Sequence, residues 1–267
     1  MKTLFIMGLG HSGSTILELS LSRFPDTVGL GEIKKILKRP AILSGKHGAS
    51  SPPVCACGET VTECTFWSTI PDLQHYPELR NRYGRFFEAL ARNGVYNAAV
   101  DSSKSLEAFN VLHHLHNKEA LDLRVIFLLR DVRGWAQSAR DRDRRHGNRA
   151  RPLVYHYLQW YRHNRRMQRV LADSGTPYIQ RSYEEFCFDP GQVLGDIRTF
   201  AELPAIGPPG NGRSNAHNLN GNRTRRDPLQ NIRYDARWLS GGSGAMYSIL
   251  LPHVLRWNNA QVYRNAE

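Results

Sequence analysis

The opening run MKTLFIMGLGHSGST does most to limit what this chain can fold into. Residues 4–8 form a short apolar strand pattern that leads straight into a glycine-rich turn, and a helical pattern follows at once. Such a turn aims backbone N–H groups and the positive end of the next helix at one point, and glycine lets the main chain come close to an anion. The spacing Gly8-x4-Gly13 matches the first part of a nucleotide P-loop, but Ser14 and Thr15 stand where the NTPase lysine is expected. The turn reads as a phosphate cradle that lacks that lysine.

Strand-like and helix-like stretches alternate beyond it, the pattern of a parallel sheet covered by helices. Residues 16–24 are a helix, with Ile16, Leu17, Leu19, Leu21 and Phe24 at its apolar positions. Residues 95–100 are a second strand, closed by Asp101-Ser-Ser-Lys104, and the Val-Ile-Phe-Leu-Leu run within 123–129 suits the middle of a parallel sheet. Residues 178–180 read as a further strand, and 80–93, 106–115, 153–172 and 245–257 as helices. Residues 38–70 read as an irregular insertion, 140–152 as a basic mobile loop and 207–226 as a polar, glycine-rich loop. A chain of 267 residues can bury one full core, so a single domain over 1–267 is expected.

Hydrophobic residues at 40% and charged residues at 22% exclude a disordered chain. The net charge of +12 favours anionic partners, whether nucleotides, polyanionic glycans, nucleic acid or an anionic membrane surface. No apolar run approaches the ~20 residues that span a bilayer, and residues 4–7 are too short for a signal-peptide core. A soluble, cytoplasmic protein is expected. Four cysteines, three of them at Cys55, Cys57 and Cys64, suit a reducing compartment better than a disulfide framework.

Three strand ends carry polar clusters: the cradle, residues 101–104 and residues 130–138. Ligands of open α/β sheets bind at the carboxyl ends of the strands, so the three are expected to meet. Together they resemble the sulfotransferases that use 3′-phosphoadenosine 5′-phosphosulfate (PAPS), in the bacterial, carbohydrate-type and tyrosylprotein-like branches. The resemblance rests on Gly10-His11-Ser12-Gly13-Ser14-Thr15 and on Arg130-x7-Ser138, both at strand-to-helix junctions and in the family's order. Asp101-Ser-Ser-Lys104, Arg181-Ser-Tyr183-Glu-Glu185, Gly221-Asn-x-x-Arg225 and the segment Cys55-x-Cys57-Gly58 with Cys64-Thr-Phe-Trp67 extend it along most of the chain.

The resemblance implies an α/β, P-loop-like three-layer fold with a central parallel sheet flanked by helices. It implies sulfuryl transfer from PAPS, as co-substrate, to a hydroxyl or amine of a small-molecule or carbohydrate acceptor, anionic ones included. The product is adenosine 3′,5′-bisphosphate. No metal and no nucleic acid are needed, and a bacterial setting is implied.

Sulfuryl transfer, like phosphoryl transfer, asks the protein mainly to position groups and stabilise charge. Backbone N–H groups of residues 12–15, the Ser14 and Thr15 hydroxyls, His11 and Lys104 would hold the phosphosulfate. Arg130, Ser138 and Arg225 would hold the 3′-phosphate, and Tyr183 would lie beside adenine. The resemblance makes Glu32 the general base, acting with a pKa raised by partial burial, and His11 the second choice. Relatives often carry Lys or Arg where His11 stands, so the cradle's charge is expected to vary with pH.

Plainer readings stand beside these. Lys104 could be a solvated helix-start lysine, Glu32 a helix-capping carboxylate and Tyr183 a packing residue. Cys55, Cys57 and Cys64 could be zinc ligands with His47 or His75 as the fourth, but without paired C-x2-C spacing they are read as reduced thiols. A P-loop kinase or nucleotide-binding enzyme and a non-catalytic polyanion-binding protein are the alternative functions. The acceptor and the oligomeric state are not legible in the sequence.

Overall fold

The computed structural model describes residues 1–45, 52–145, 147, 151–204, 214–219, 232–240 and 250–264. Its strands β1 (Lys2–Gly8), β2 (Thr27–Gly31), β3 (Ala98–Lys104), β4 (Asp122–Leu129) and β5 (Tyr178–Ser182) form one all-parallel sheet in the order β2-β3-β1-β4-β5. β1 lies in the middle, so the cradle that follows it opens between the ends of β3 and β4.

The period of two along the central strands divides the core into layers. Phe5, Met7, Val125, Phe127 and Leu129 pack to one face, with α2 (Ile33–Leu37), α4 (Leu79–Arg92), α5 (Leu106–Asn117), α6 (Val132–Arg145), α7 (Leu153–Ser174) and α10 (Pro252–Val262). Leu4, Ile6, Ile126 and Leu128 pack to the other, with α1 (Ser14–Leu21), α8 (Tyr183–Phe188) and α9 (Pro190–Phe200). The three-layer α/β architecture expected from the sequence is present. A short helix, α3 (Thr65–Ser68), lies within the irregular segment before α4.

Three differences from the sequence reading matter for the site. Thr27-Val-Gly-Leu-Gly31 is a buried strand, where no strand was expected, and it delivers Glu32 directly from a strand end. Residues 101–104 belong to β3 itself, and only Ala98 onwards is paired. The expected basic loop at 140–152 starts as the last turns of α6, because Trp135, Ala136, Ala139 and Asp143 continue its buried stripe through the arginines. Residues 245–249 of the expected last helix, and all of 207–226 except 214–219, lie outside the described residues.

Gly8 is required by the sheet. A Cβ there would stand 2.4 Å from the Leu128 carbonyl oxygen of β4, a backbone atom that cannot turn aside. Gly8→Ala is therefore expected to cost about 1–3 kcal/mol, the usual range for overpacking, read as a lower midpoint in urea unfolding.

Candidate active site

The cradle is built from two residues in the left-handed region. His11 has φ 72° and Gly13 φ 87°, the latter capping α1. A Cβ on Gly13 would lie 2.5 Å from the Tyr183 ring, so glycine is needed there for space as well as for conformation. The amides of Gly13, Ser14 and Thr15 donate to no acceptor among the described residues, which leaves three N–H groups at the helix start for an anion. The Gly10 carbonyl is held by Trp135 Nε1 at 2.7 Å, and the Ser12 amide donates to the Leu9 carbonyl at 3.3 Å.

Arg130 locks the cradle to the end of β4. Its Nη1 donates to the His11 carbonyl at 2.9 Å and its Nη2 to Asp235 Oδ2 at 3.0 Å, while the guanidinium lies 4.6 Å from the centre of the Tyr183 ring. Arg130 is buried, and its Nε has no hydrogen-bond partner among the described residues. The main chain beneath it is fixed: Trp160 Nε1 donates to the Arg130 carbonyl at 3.0 Å, and Glu184 Oε1 accepts from the Asp131 amide at 3.1 Å. Asp131 itself receives Arg133, Asn258 and Tyr263. Tyr183 is set by a capping box, in which Ser182 and Glu185 exchange side-chain and backbone hydrogen bonds at 3.1 and 2.7 Å. Its hydroxyl donates to the Arg233 carbonyl at 2.9 Å. Ser138 lies half-buried on α6 with no side-chain hydrogen bond among the described residues, and Arg225 lies outside them.

On the other side of the cradle, Lys104 Nζ donates to Glu32 Oε1 at 3.0 Å, and Lys35 pairs with the same carboxylate. Burial pushes the Glu32 carboxyl up, but Lys104 and Lys35 outweigh it and hold the group below the usual glutamate range. This corrects the expected raised pKa: the base candidate starts out ionised and clamped. Lys104 is likewise an ion-pair partner, held by a left-handed φ of 64° at the irregular end of β3, and no solvated bystander.

His11 is pushed down to about 4, first by burial and then by the charges of Arg142, Arg145, Arg130 and Lys104. The cradle histidine is thus neutral near pH 7, so its charge does not vary with pH in the neutral range as expected for this position. The same interactions show that Arg142 and Arg145, from the basic stretch, act on the cradle.

Glu18 was not anticipated. It is fully buried, accepts the Gly31 amide, and accepts Ser102 Oγ at 2.6 Å. One carboxyl thereby pins the end of β2 that carries Glu32 to the end of β3 that carries Lys104. Its signal was in the sequence: Ser14, Leu17, Glu18 and Leu21 are one buried helical stripe, in which an acidic residue is out of place. A second cluster joins Cys55, Cys57, Cys64 and His217, whose ligand-type atoms all lie within 4.8 Å of one another. His75 is exposed on Asp72, and His47 lies outside the described residues.

No family model matches this chain, and no curated protein matches it. Among solved structures, the sulfotransferase domain of the Synechococcus PCC 7002 olefin synthase aligns with TM-score 0.55 and 18% identity over 90% of this chain and 88% of that one. The sulfotransferase domain from the curacin biosynthetic pathway aligns with TM-score 0.52 and 16% identity over 78% and 76%. The fold is that of these sulfotransferase domains. At such identities the likeness is one of architecture, and the chemistry has to be argued from the residues.

Burial drives the Glu18 pKa up to about 7. Between the ordinary glutamate value and 7 the folded chain then binds more protons than the unfolded one, so this group's contribution to stability falls as pH rises through that window. Each pH unit inside the window removes about 1.4 kcal/mol. Glu18→Gln is expected to flatten the decline in urea midpoint between pH 5 and pH 8; an unchanged slope would remove Glu18 from this role.

Proposed function

We propose that this chain is a PAPS-dependent sulfotransferase that moves a sulfuryl group by in-line displacement to a hydroxyl, or an amine, of a small-molecule or carbohydrate acceptor. The observation that carries the reading is the joined cradle and arginine: three amides at the start of α1 and the Nε of a buried guanidinium bonded to the same turn, none of which has a partner among the described residues. Backbone amides suit the 5′-phosphosulfate, and an arginine fork suits the 3′-phosphate that distinguishes PAPS from ordinary adenylates. Gly10, Ser12, the Ser14 and Thr15 hydroxyls and Ser138 would complete the donor site, with Tyr183 beside adenine and Arg225 as a further phosphate ligand.

The kinase alternative lacks a lysine after Gly13, and Asp101 on β3 is committed to the Ser103 amide at 2.8 Å and to Tyr83. A polyanion-binding protein would have no use for the fixed relation of Arg130 to the cradle.

Charge explains how the base would be timed. Before the donor arrives, Glu32 is held ionised by two lysines and is a weak base. Negative charge in the cradle competes for Lys104, which can then stabilise the leaving phosphate, and the same charge raises the pKa of the carboxylate it has partly released. Glu32 becomes a competent acceptor of the substrate hydroxyl's proton when the donor is in place.

Two variants separate binding from turnover. Arg130→Ala is expected to lose about 2–5 kcal/mol of affinity for adenosine 3′,5′-bisphosphate and all preference over AMP, measured by calorimetry without metal. Glu32→Gln is expected to keep that affinity and lose about 10²–10⁴-fold in turnover with PAPS. A wild-type protein that binds AMP equally well would sink the proposal, and a fully active Glu32→Gln would sink the base.

Anion binding should also raise the pKa of His11 from about 4. A raised pKa in the complex means that binding takes up protons and strengthens as pH falls from 7 towards 5. Calorimetry of adenosine 3′,5′-bisphosphate in buffers of different ionisation enthalpy should show more proton uptake for wild type than for His11→Gln, since the ligand's own titration is common to both.

A further inference from the structure

The cysteine-rich segment is outside the reaction just described, yet its donors are arranged as if around a point. Cys57 Sγ and Cys64 Sγ are 3.6 Å apart, Cys64 Sγ and Cys55 Sγ 3.8 Å, and His217 Nδ1 lies 3.3 Å from Cys64 Sγ and 3.6 Å from Cys55 Sγ. A tetrahedral zinc ion with bonds of about 2.3 Å to sulfur and about 2.0 Å to nitrogen has ligand-to-ligand edges of about 3.8 Å for S···S and about 3.5 Å for S···N. These four of the six separations match those edges to within about 0.2 Å, and the other two lie within 4.8 Å. A disulfide would need sulfurs about 2.0 Å apart, and the cysteines are free thiols here.

The scaffold around the donors is also that of a built site. Backbone bonds fix the cysteine turns: the Cys55 amide donates to the Glu59 carbonyl at 2.8 Å, the Gly58 amide to the Cys55 carbonyl at 3.0 Å, and the Cys64 amide to the Thr60 carbonyl at 2.9 Å. Gly58, at φ 106°, makes the tight turn after the first pair. Phe66 stacks on the His217 ring at 4.4 Å and 7°, fixing its plane. Backbone bonds bring in the histidine from far along the chain: its amide donates to the Gly29 carbonyl at 2.8 Å, and the Ala56 amide donates to the Asn218 carbonyl at 3.0 Å.

We infer that Cys55, Cys57, Cys64 and His217 bind one Zn²⁺ ion in a closed Cys3His site that ties the 52–68 segment and the 214–219 segment to the edge of β2. Loading releases three thiol protons and leaves the imidazole neutral, bound through Nδ1, so the site carries a net charge of −1. All four positions are protein donors, which makes the site structural and leaves no place for a substrate. Sequence spacing hid it, because the fourth ligand is 153 residues beyond Cys64.

The test uses the full chain, purified without a histidine tag from zinc-supplemented cells. Elemental analysis should find one zinc per chain, and Ellman's reagent should titrate only Cys187 until a chelator or denaturant exposes the other three thiols. Exchange with Co²⁺ should give the visible bands of a tetrahedral ion and the near-ultraviolet charge-transfer band of thiolate ligation. Cys64→Ser should lose the metal, and His217→Ala should keep the thiolate band with altered visible bands. Substoichiometric zinc with all thiols titrating at once, a disulfide among Cys55, Cys57 and Cys64, or bound cobalt without a thiolate band would each overturn the inference. The wild-type cobalt spectrum decides the matter even if both variants fail to fold, and none of these readouts depends on nucleotide binding.

Discussion

Arg130 is the tie on which the rest of the site depends. Its side chain joins the end of β4 to the cradle after β1, to the Tyr183 ring at the start of α8, and to Asp235 in the 232–240 segment. A guanidinium can do this because its donors are fixed in one plane, so bonding at one nitrogen sets the direction of the others. Lysine could satisfy one of these partners but not hold them at fixed angles. The buried support beneath it, from Trp160 to Asp131 and Asn258, makes the residue's position a property of the whole α6, α7 and α10 side of the sheet.

The opposite side is organised by carboxylates. Among the described residues Glu18 has no cation bonded to it and joins two strand ends through neutral donors, whereas Glu32 faces two lysines. Their environments drive them apart: the buried group is raised to about 7 and the clamped one is lowered. One carboxyl is thereby suited to stay fixed, as part of the frame, and the other to change partners when charge enters the cradle. Such a division follows from burial and neighbouring charge alone.

The central sheet was legible because β1 and β4 are apolar on both faces, and the cradle because glycines cluster at a strand end. Arg130 and Lys104 were legible as charged residues at such ends. β2 was not, since two of its five residues are glycines, which disfavour strands. Gly29 is there for space: a Cβ would sit 3.1 Å from Ser22 Oγ and 3.2 Å from Glu18 Oε1, contacts that exist only once α1 has docked. The helical start of the basic stretch was hidden for a different reason. Dense arginine looks like a solvated loop, but the stripe that folds α6 uses only one residue in three or four, and the charges occupy the rest. His217 could not be paired with the cysteines by any local pattern, because the edge of β2 brings it there.

Asp235 takes the side of the Arg130 fork that a phosphate would also seek. Arg237 first, and Arg130 with it, hold its carboxyl well below the ordinary carboxylate range, so it is an anion bonded to the guanidinium proposed for the 3′-phosphate. A phosphate bound at Arg130 would face this carboxylate across the same fork, and two anions on one guanidinium repel unless one of them shifts. Asp235 retains a second arginine to move to, since Arg237 grips it at both 2.7 Å contacts. The 232–240 segment would then move with it, taking along Trp238, which packs on Arg133, and the Arg233 carbonyl bonded to Tyr183. If Arg130 takes the 3′-phosphate as proposed, occupancy of that position and the placement of the wall beside Tyr183 would be one event, governed by which anion holds Arg130.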